Sequence, residues 1–531
     1  MRARVIVATL SVALGAANDP LLRAQTTAPP PAFHLLETTI DDIHAAIRAK
    51  RVTCRSLLEL YLKRIEAYDK AGPRLNAVQT INPGALKEAD RLDAAYLRSG
   101  LVGPLHCIPV LVKDQVETSD MPTTFGSVLF KDFVPRRDAT IVTRLKGAGA
   151  VIVGKSTMGE YAAGYLSSAS GPIRNAYDPR RHASGSSGGS ASGVTANFAT
   201  VAIAEDTGGS VRGPAAVSSL VGLRPTVPLV SRHGMMPARP STDTLGPIAR
   251  TVRDAAILLD VIAGYDPNDP ITAQAVGHIP KSYSAFLSPD GLRGARIGVI
   301  RQPMDAKADP ASDDYRKVRT VIDTAIGDLR RLGAEIVDPV TIPDVIDRVN
   351  KPYDGNVFET EPAMNAYLGA HPNAPVKTLR DILLSGKVVP SRVRVLMTSI
   401  GRSTDEAGYL PILRSVEDTR RVVFSLLAEQ RLDALVYATF DHPPAVIGAG
   451  DMTDPLLETT GLGSNRRLSP ILGFPAMTVP AGFTSDGLPV GVEFLARPFA
   501  EPTLFTFAYA YEQGTRHRHP PASTPALRGE P

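Results

Sequence analysis

The stretch Ala183–Pro214, ASGSSGGSASGVTANFATVAIAEDTGGSVRGP, decides how the rest of the chain is read. Two loops of small residues, Gly185-Ser186-Ser187-Gly188-Gly189-Ser190 and Asp206-Thr207-Gly208-Gly209-Ser210, flank an apolar run. Glycine admits positive φ and close backbone approach that side chains resist. Each loop can therefore turn several N–H groups and a serine hydroxyl into one small volume. Acyl transfer needs that pairing: a nucleophile beside backbone donors for the oxyanion that develops. A flexible linker would not carry the apolar run Ala196–Ile203 between its glycines, nor Asp206-Thr207 before them and Arg212 after.

Outward from this stretch, apolar or β-branched runs alternate with amphipathic ones. Asn76–Ile81, Ile108–Val112, Ala150–Val153 and Val201–Ala204 read as strands, separated by helical patterns near 84–98, 139–147 and 188–198. Thr39 opens one earlier helix and Thr53 caps another. Strand signals resume at Arg296–Ile300 and Glu335–Val337 around a charged helix, Asp314–Leu332. Residues 340–430 are mostly helical; Ala434–Ala438, Ala476–Val479 and Val490–Leu495 return to strand before a helix near 501–513. The pattern predicts an α/β fold, one large domain over 38–520 with a mixed, largely parallel central sheet flanked by helices. A divergent helical section over about 340–460 is expected to shape the substrate region, and residues 521–531 a loose tail. The aromatics Tyr353, Phe358, Tyr367, Tyr409 and Phe440 fit either an apolar pocket or ordinary core packing, with packing the simpler reading.

The 531 residues carry 58 basic and 54 acidic side chains spread along the chain, for a net charge of +4. No basic block interleaved with aromatics stands out, so nothing points to nucleic acid. Residues 1–17, MRARVIVATLSVALGAA, have the layout of a secretory signal, with cleavage after Ala17 or near Ala24. The run is too short to span a bilayer. Residues 18–37 then form a flexible leader, and the mature protein is expected to be exported, periplasmic or secreted, without a membrane anchor. Cys54 and Cys107 show no metal spacing and read as two buried free thiols.

Two letter matches fail on context. Gly149-Ala-Val-Ile-Val-Gly154-Lys155-Ser156 has Walker A spacing, but its intervening residues form a strand rather than a phosphate-wrapping loop. Gly185-Ser-Ser-Gly-Gly189 matches G-x-S-x-G, yet no strand leads into it and no histidine lies in a comparably organised loop. What remains includes Lys113, at the end of the apolar run Ile108–Val112. A lysine at a strand end ordinarily snorkels to solvent. Buried instead, its ammonium is disfavoured and the neutral amine becomes a usable base.

Lys113, Ser186 and Ser210 resemble the Lys–Ser–Ser triad of the amidase signature family. The resemblance runs from about Leu105 to Gly264, through Ile108-Pro-Val-Leu-Val-Lys-Asp114, Pro122-Thr-Thr-Phe-Gly-Ser127, both small-residue loops and Ser241-Thr-Asp-Thr-Leu-Gly-Pro247. It returns at Gly473–Phe483 and Gly487–Val492. It implies Ser210 as nucleophile, Ser186 as a bridge through a cis peptide bond with Gly185, and neutral Lys113 as base. The N–H groups of Thr207, Gly208, Gly209 and Ser210 would form the oxyanion hole. Gly185, Ser187, Asp206 and Arg212 would support these groups, and Met158 and Tyr161 would line the substrate pocket. Ser184 and Cys107 stand where the family has glycine, and Thr157 where it has asparagine; none of these removes a triad member.

The reading is therefore an exported amidase hydrolysing carboxamide C–N bonds through an acyl-enzyme, with esters, anilides and carbamates as further targets. It implies no cofactor and no metal, a small-molecule amide substrate, and a monomer or homodimer. The alternative enzyme reading is the amidase subunit of a tRNA-dependent amidotransferase, which would work with partner chains. An exported solute-binding protein or inactive relative would be expected to lack a triad residue, and all three are present.

Overall fold

Apolar runs that bury both faces make interior strands of a covered sheet, and that is where they lie. The computed structural model describes residues 33–459 and 461–531. The expected export signal and most of the leader fall outside the described residues. The strands are β1 Val78–Ile81, β2 Pro109–Lys113, β3 Val151–Ser156, β4 Leu166–Ser167, β5 Gly171–Pro172, β6 Val201–Asp206 and β7 Val221–Arg224. They continue as β8 Thr244–Ala249, β9 Arg296–Ile300, β10 Glu335–Val340, β11 Ala434–Ala438, β12 Ala476–Phe483 and β13 Pro489–Leu495. Eleven of them form one sheet in the order β1-β3-β2-β6-β8-β7-β12-β13-β11-β9-β10, and β4 with β5 forms a small hairpin.

The sheet is mixed. Its parallel pairings are confined to two blocks, β3–β2–β6 and β11–β9–β10, joined through antiparallel β8, β7, β12 and β13, with β1 an antiparallel edge. Parallel neighbours need covering crossovers. Helix Thr140–Gly147 lies between β2 and β3 in the chain, and helix Gly188–Thr195 between β3 and β6. The latter is buried throughout and made of small residues, so it sits tight on the sheet: a Cβ on Gly193 would stand 2.5 Å from Leu111 Cδ1. The Walker-like letters are indeed strand β3, wholly buried.

Thr39 and Thr53 cap helices Ile40–Arg48 and Cys54–Tyr68, each with a reciprocal capping box, to Asp42 and Ser56 respectively. The helical section carries helices Val345–Tyr353, Asn356–Gly369, Leu379–Leu384, Pro390–Met397 and Tyr409–Glu429. Its Met364, Leu368 and Leu379 pack on Phe125, Phe130 and Phe133, which ties it to the Pro122–Ser127 loop.

Three expectations are corrected. Cys54 and Cys107 are joined in a disulfide, Cα atoms 5.2 Å apart, instead of remaining free thiols. The first opens a helix and the second precedes β2 in a left-handed turn (φ 63°), a proximity that a separation of 53 residues hides. The last residues are not a loose tail: Glu530 Oε2 lies 2.8 Å from Arg64 Nη1, both side chains excluded from solvent. The Arg64 guanidinium also donates to the Thr524 and Pro525 carbonyls. A charge buried under helix Cys54–Tyr68 has to be paired, and the C-terminal segment supplies the partner. The end of the leader is likewise packed rather than flexible. Phe33 and Leu35 are buried, and Glu37 pairs with Arg518 at 2.7 Å.

Candidate active site

In open α/β sheets, ligands gather beyond the carboxyl ends of parallel strands, and Lys113 ends β2 next to β6. Its ammonium position is fully buried. Nζ lies 2.7 Å from Ser186 Oγ, 2.7 Å from Glu205 Oε2 and 3.3 Å from the Glu205 carbonyl oxygen. Burial pushes the Lys113 amine below its ordinary pKa, against the opposing pull of the Glu205 carboxylate. The Gly185–Ser186 peptide bond is cis, as the family resemblance implies. Gly185 is obligatory here, because a Cβ would meet the Gly164 carbonyl oxygen at 1.7 Å. Ser187 Oγ donates to the Glu205 carbonyl at 3.1 Å and so fixes the loop to β6.

Asp206, the last residue of β6, organises the second loop. It accepts from the N–H of Gly209 at 2.7 Å and of Val211 at 3.1 Å, and from Arg212 Nε at 3.2 Å. Burial raises its carboxyl pKa, but the guanidinium groups of Arg212 and Arg224 outweigh that and hold it well below the usual carboxylate range. Arg212 also pairs with Glu493 on β13 and donates to the Arg466 carbonyl at 2.8 Å. Asp206 and Arg212 thus brace the loop from below and tie it to β13. The Gly209 N–H, counted from the sequence among the oxyanion donors, is engaged by Asp206.

Thr207 and Ser210 face a cavity of about 470 Å³. The helical section supplies much of its wall, through Tyr353, Asn356, Thr360, Val389 and Arg392. Tyr353 stands over the loop: a Cβ on Gly208 would approach its hydroxyl oxygen to 2.6 Å. Met158 and Tyr161 do not line this cavity. They border a small recess of about 10 Å³ beside it, shared with Arg392, and Tyr161 is held there by donating to Ser127 Oγ at 2.9 Å. Of the five aromatics singled out from the sequence, Tyr353 alone borders the main cavity. Phe440 lies under the Arg466 guanidinium, and Phe358 packs against Tyr409.

Sequence reading passes over Glu205, Arg392 and Arg467. Glu205 carries one signal, an acidic residue directly after an apolar strand run and before the Asp-Thr-Gly-Gly-Ser loop. Arg392 and Arg467 carry none, because they reach the cavity from the helical section and from a distant loop.

An amidase family model matches residues 56–505. A probable amidase of Arabidopsis thaliana is 35% identical over 517 residues, covering 92% of each chain. A glutamyl-tRNA(Gln) amidotransferase subunit of Koribacter versatilis is 33% identical over 492 residues, 89% of this chain and 98% of that one. The solved structure of the native peptide amidase of Stenotrophomonas maltophilia superposes with a TM-score of 0.82 at 37% identity, covering 92% of this chain and 99% of that one. Fold and likeness together define a hydrolase acting on amide C–N bonds. The chain belongs to the amidase signature family, the family its motifs resemble.

Proposed function

We propose that this amidase works through Ser210, Ser186 and Lys113 as nucleophile, bridge and base. The carrying observation is the 2.7 Å contact between the buried Lys113 Nζ and Ser186 Oγ, with Ser210 on the wall of the adjoining cavity. Ser210 Oγ bonds to the acyl carbon while its proton passes to Ser186, whose own proton passes to Lys113 Nζ. The tetrahedral intermediate collapses, the C–N bond breaks, and the proton on Lys113 returns through Ser186 to the departing amine. Water then attacks the acyl-enzyme by the same route, releasing the acid and restoring Ser210. The amides of Thr207, Gly208 and Ser210 are the oxyanion donors in this reading, since that of Gly209 is held by Asp206.

The substrates are carboxamides whose acyl part fits the cavity under the helical section, with esters, anilides and carbamates as secondary targets. The likeness to a peptide amidase makes peptide amides the first compounds to assay. Export by residues 1–17 belongs to the same proposal and is tested by N-terminal sequencing of the protein recovered from the periplasm or medium. The amidotransferase subunit remains the competing reading, because relatives with that name match nearly end to end. The test is turnover by the purified single chain on an amide, ester and carbamate panel, alongside Ser210→Ala. Turnover without partner chains, lost in Ser210→Ala together with fluorophosphonate labelling, is the expected result. An inert single chain, or an active Ser210→Ala, overturns the proposal.

A further inference from the structure

The Lys113 amine touches a second acid–base group that the mechanism above leaves unused. Glu205 is buried completely between Lys113 and Asp243, with one carboxylate oxygen turned to each side. Oε2 takes the 2.7 Å contact from Lys113 Nζ, and Oε1 lies 2.5 Å from Thr207 Oγ1. The same Thr207 hydroxyl lies 2.7 Å from Asp243 Oδ1, and Asp243 Oδ2 accepts from the N–H groups of Ala238 and Arg239 at 2.8 Å each.

A hydroxyl has one hydrogen to donate, yet Thr207 sits between two carboxyl oxygens. It donates to one of them at a time, so the two carboxyl groups compete for its single hydrogen. Burial and the charge of Glu205 push the Asp243 carboxyl up to about 7. The other charged groups around the cluster are committed elsewhere. Asp206 is held by Arg212 and two backbone amides, while Arg224 donates to the carbonyls of Asp206 and Thr242. The Glu205 carboxylate is therefore left to face Lys113.

We propose that Glu205 is a positioning residue of the amidase reaction. It aims the Lys113 amine at Ser186 and supplies the negative charge that offsets the ammonium formed when Lys113 takes the proton. With its two hydrogens directed at Glu205 Oε2 and the Glu205 carbonyl, a neutral Lys113 amine turns its lone pair to Ser186 Oγ, the orientation a base requires. When the Ser186 O–H bond breaks and the third N–H bond forms, the new positive charge appears 2.7 Å from Glu205 Oε2 in a site without water-exposed atoms. Preorganised charge of this kind costs no reorganisation during the step. Glu205 thus stands to Lys113 as the buried aspartate stands to histidine in a Ser-His-Asp triad.

This inference rests on the assignment of Lys113 as base, and its test separates the two. The rate of fluorophosphonate labelling of Ser210 and kcat/KM on an amide are followed against pH in the wild type, Glu205→Gln and Asp243→Asn. Glu205→Gln keeps the size of the side chain and one acceptor oxygen, and removes the charge that favours the ammonium. Its plateau is expected to fall about 10-fold or more, and its acid limb to move about one pH unit lower. Asp243→Asn removes a neighbouring carboxyl that also favours the ammonium but leaves Glu205 in place, so its acid limb is expected to move down by less than that of Glu205→Gln. Should Glu205→Gln fail to fold, Glu205→Asp takes its place: the charge is kept but drawn back from Nζ, and the plateau and the acid limb are both expected to fall by less. An acid limb of Glu205→Gln, or of Glu205→Asp in its stead, that coincides with the wild type, whatever the plateau, overturns the role of Glu205. A wild type that is not labelled at all overturns the serine mechanism instead.

Discussion

Lys113 and Lys155 are both fully buried lysines at the ends of neighbouring parallel strands, and they invite opposite conclusions. Val112 pairs with Lys155 and Lys113 with Ser156, so the two side chains leave opposite faces of the sheet. On one face Lys113 meets Ser186 and Glu205 beside the cavity. On the other, Lys155 donates to Thr123 Oγ1 at 2.8 Å and lies 3.7 Å from Asp114, which fastens the Pro122–Ser127 loop through Thr124 and Gly126. Burial depresses both amines, that of Lys155 to about 8. A lowered pKa therefore does not mark a base. The partner does: a serine leading to a nucleophile in one case, a loop-fastening threonine and aspartate in the other.

The comparison breaks most easily through Lys113→Met, which should lower kcat by roughly 10³-fold in a protein that still folds. Steady-state assays beside thermal unfolding check it. Lys155→Met should leave kcat within about 3-fold but cost about 3 kcal/mol of stability, because Asp114 keeps its burial and loses its cation; urea unfolding reads this. A large loss of kcat in folded Lys155→Met would dissolve the distinction. Next comes a pH effect. The folded amine of Lys155 releases its proton near 8 while the unfolded chain holds it to 10.5. Between those values the unfolded state binds more protons, so stability should rise with pH across that window. Denaturation at pH 8, 9 and 10 should show that rise in the wild type and a shallower one in Lys155→Met, where the depressed Lys113 amine still contributes. The smallest effect is that of Thr123→Val, about 1 kcal/mol in stability with kcat unchanged, whereas Ser186→Ala should damage turnover instead.

The two lysines also mark what a sequence can disclose. The Walker-like letters around Lys155 are readable as strand because Ala-Val-Ile-Val is β-branched and apolar, and β3 bears that out. The Lys113–Ser186 contact is legible only through family motifs, since no periodicity links residues 73 apart. Strand β6 reads as ending at Ala204 because a carboxylate after an apolar run signals solvent. It runs on through Glu205 to Asp206, since Lys113 and Arg212 from elsewhere sustain those buried charges. Strand β8 is absent from the strand signals for a related reason: Thr244-Leu-Gly-Pro-Ile-Ala carries a glycine and a proline in place of a β-branched run, yet Pro247 sits opposite Ile203 inside the sheet. The disulfide and the tied C-terminal segment depend on partners far away in the chain, which neighbouring residues do not register.

The overhang of Tyr353 above Gly208 has a practical corollary for altering substrate range. The floor of the cavity is shape-locked, because any side chain at 208 would collide with that ring and any at 185 with the Gly164 carbonyl. Diversity introduced by mutagenesis is best spent on the roof, at Tyr353, Asn356 and Thr360, whose helices can be re-tailored while the reacting atoms stay where they are.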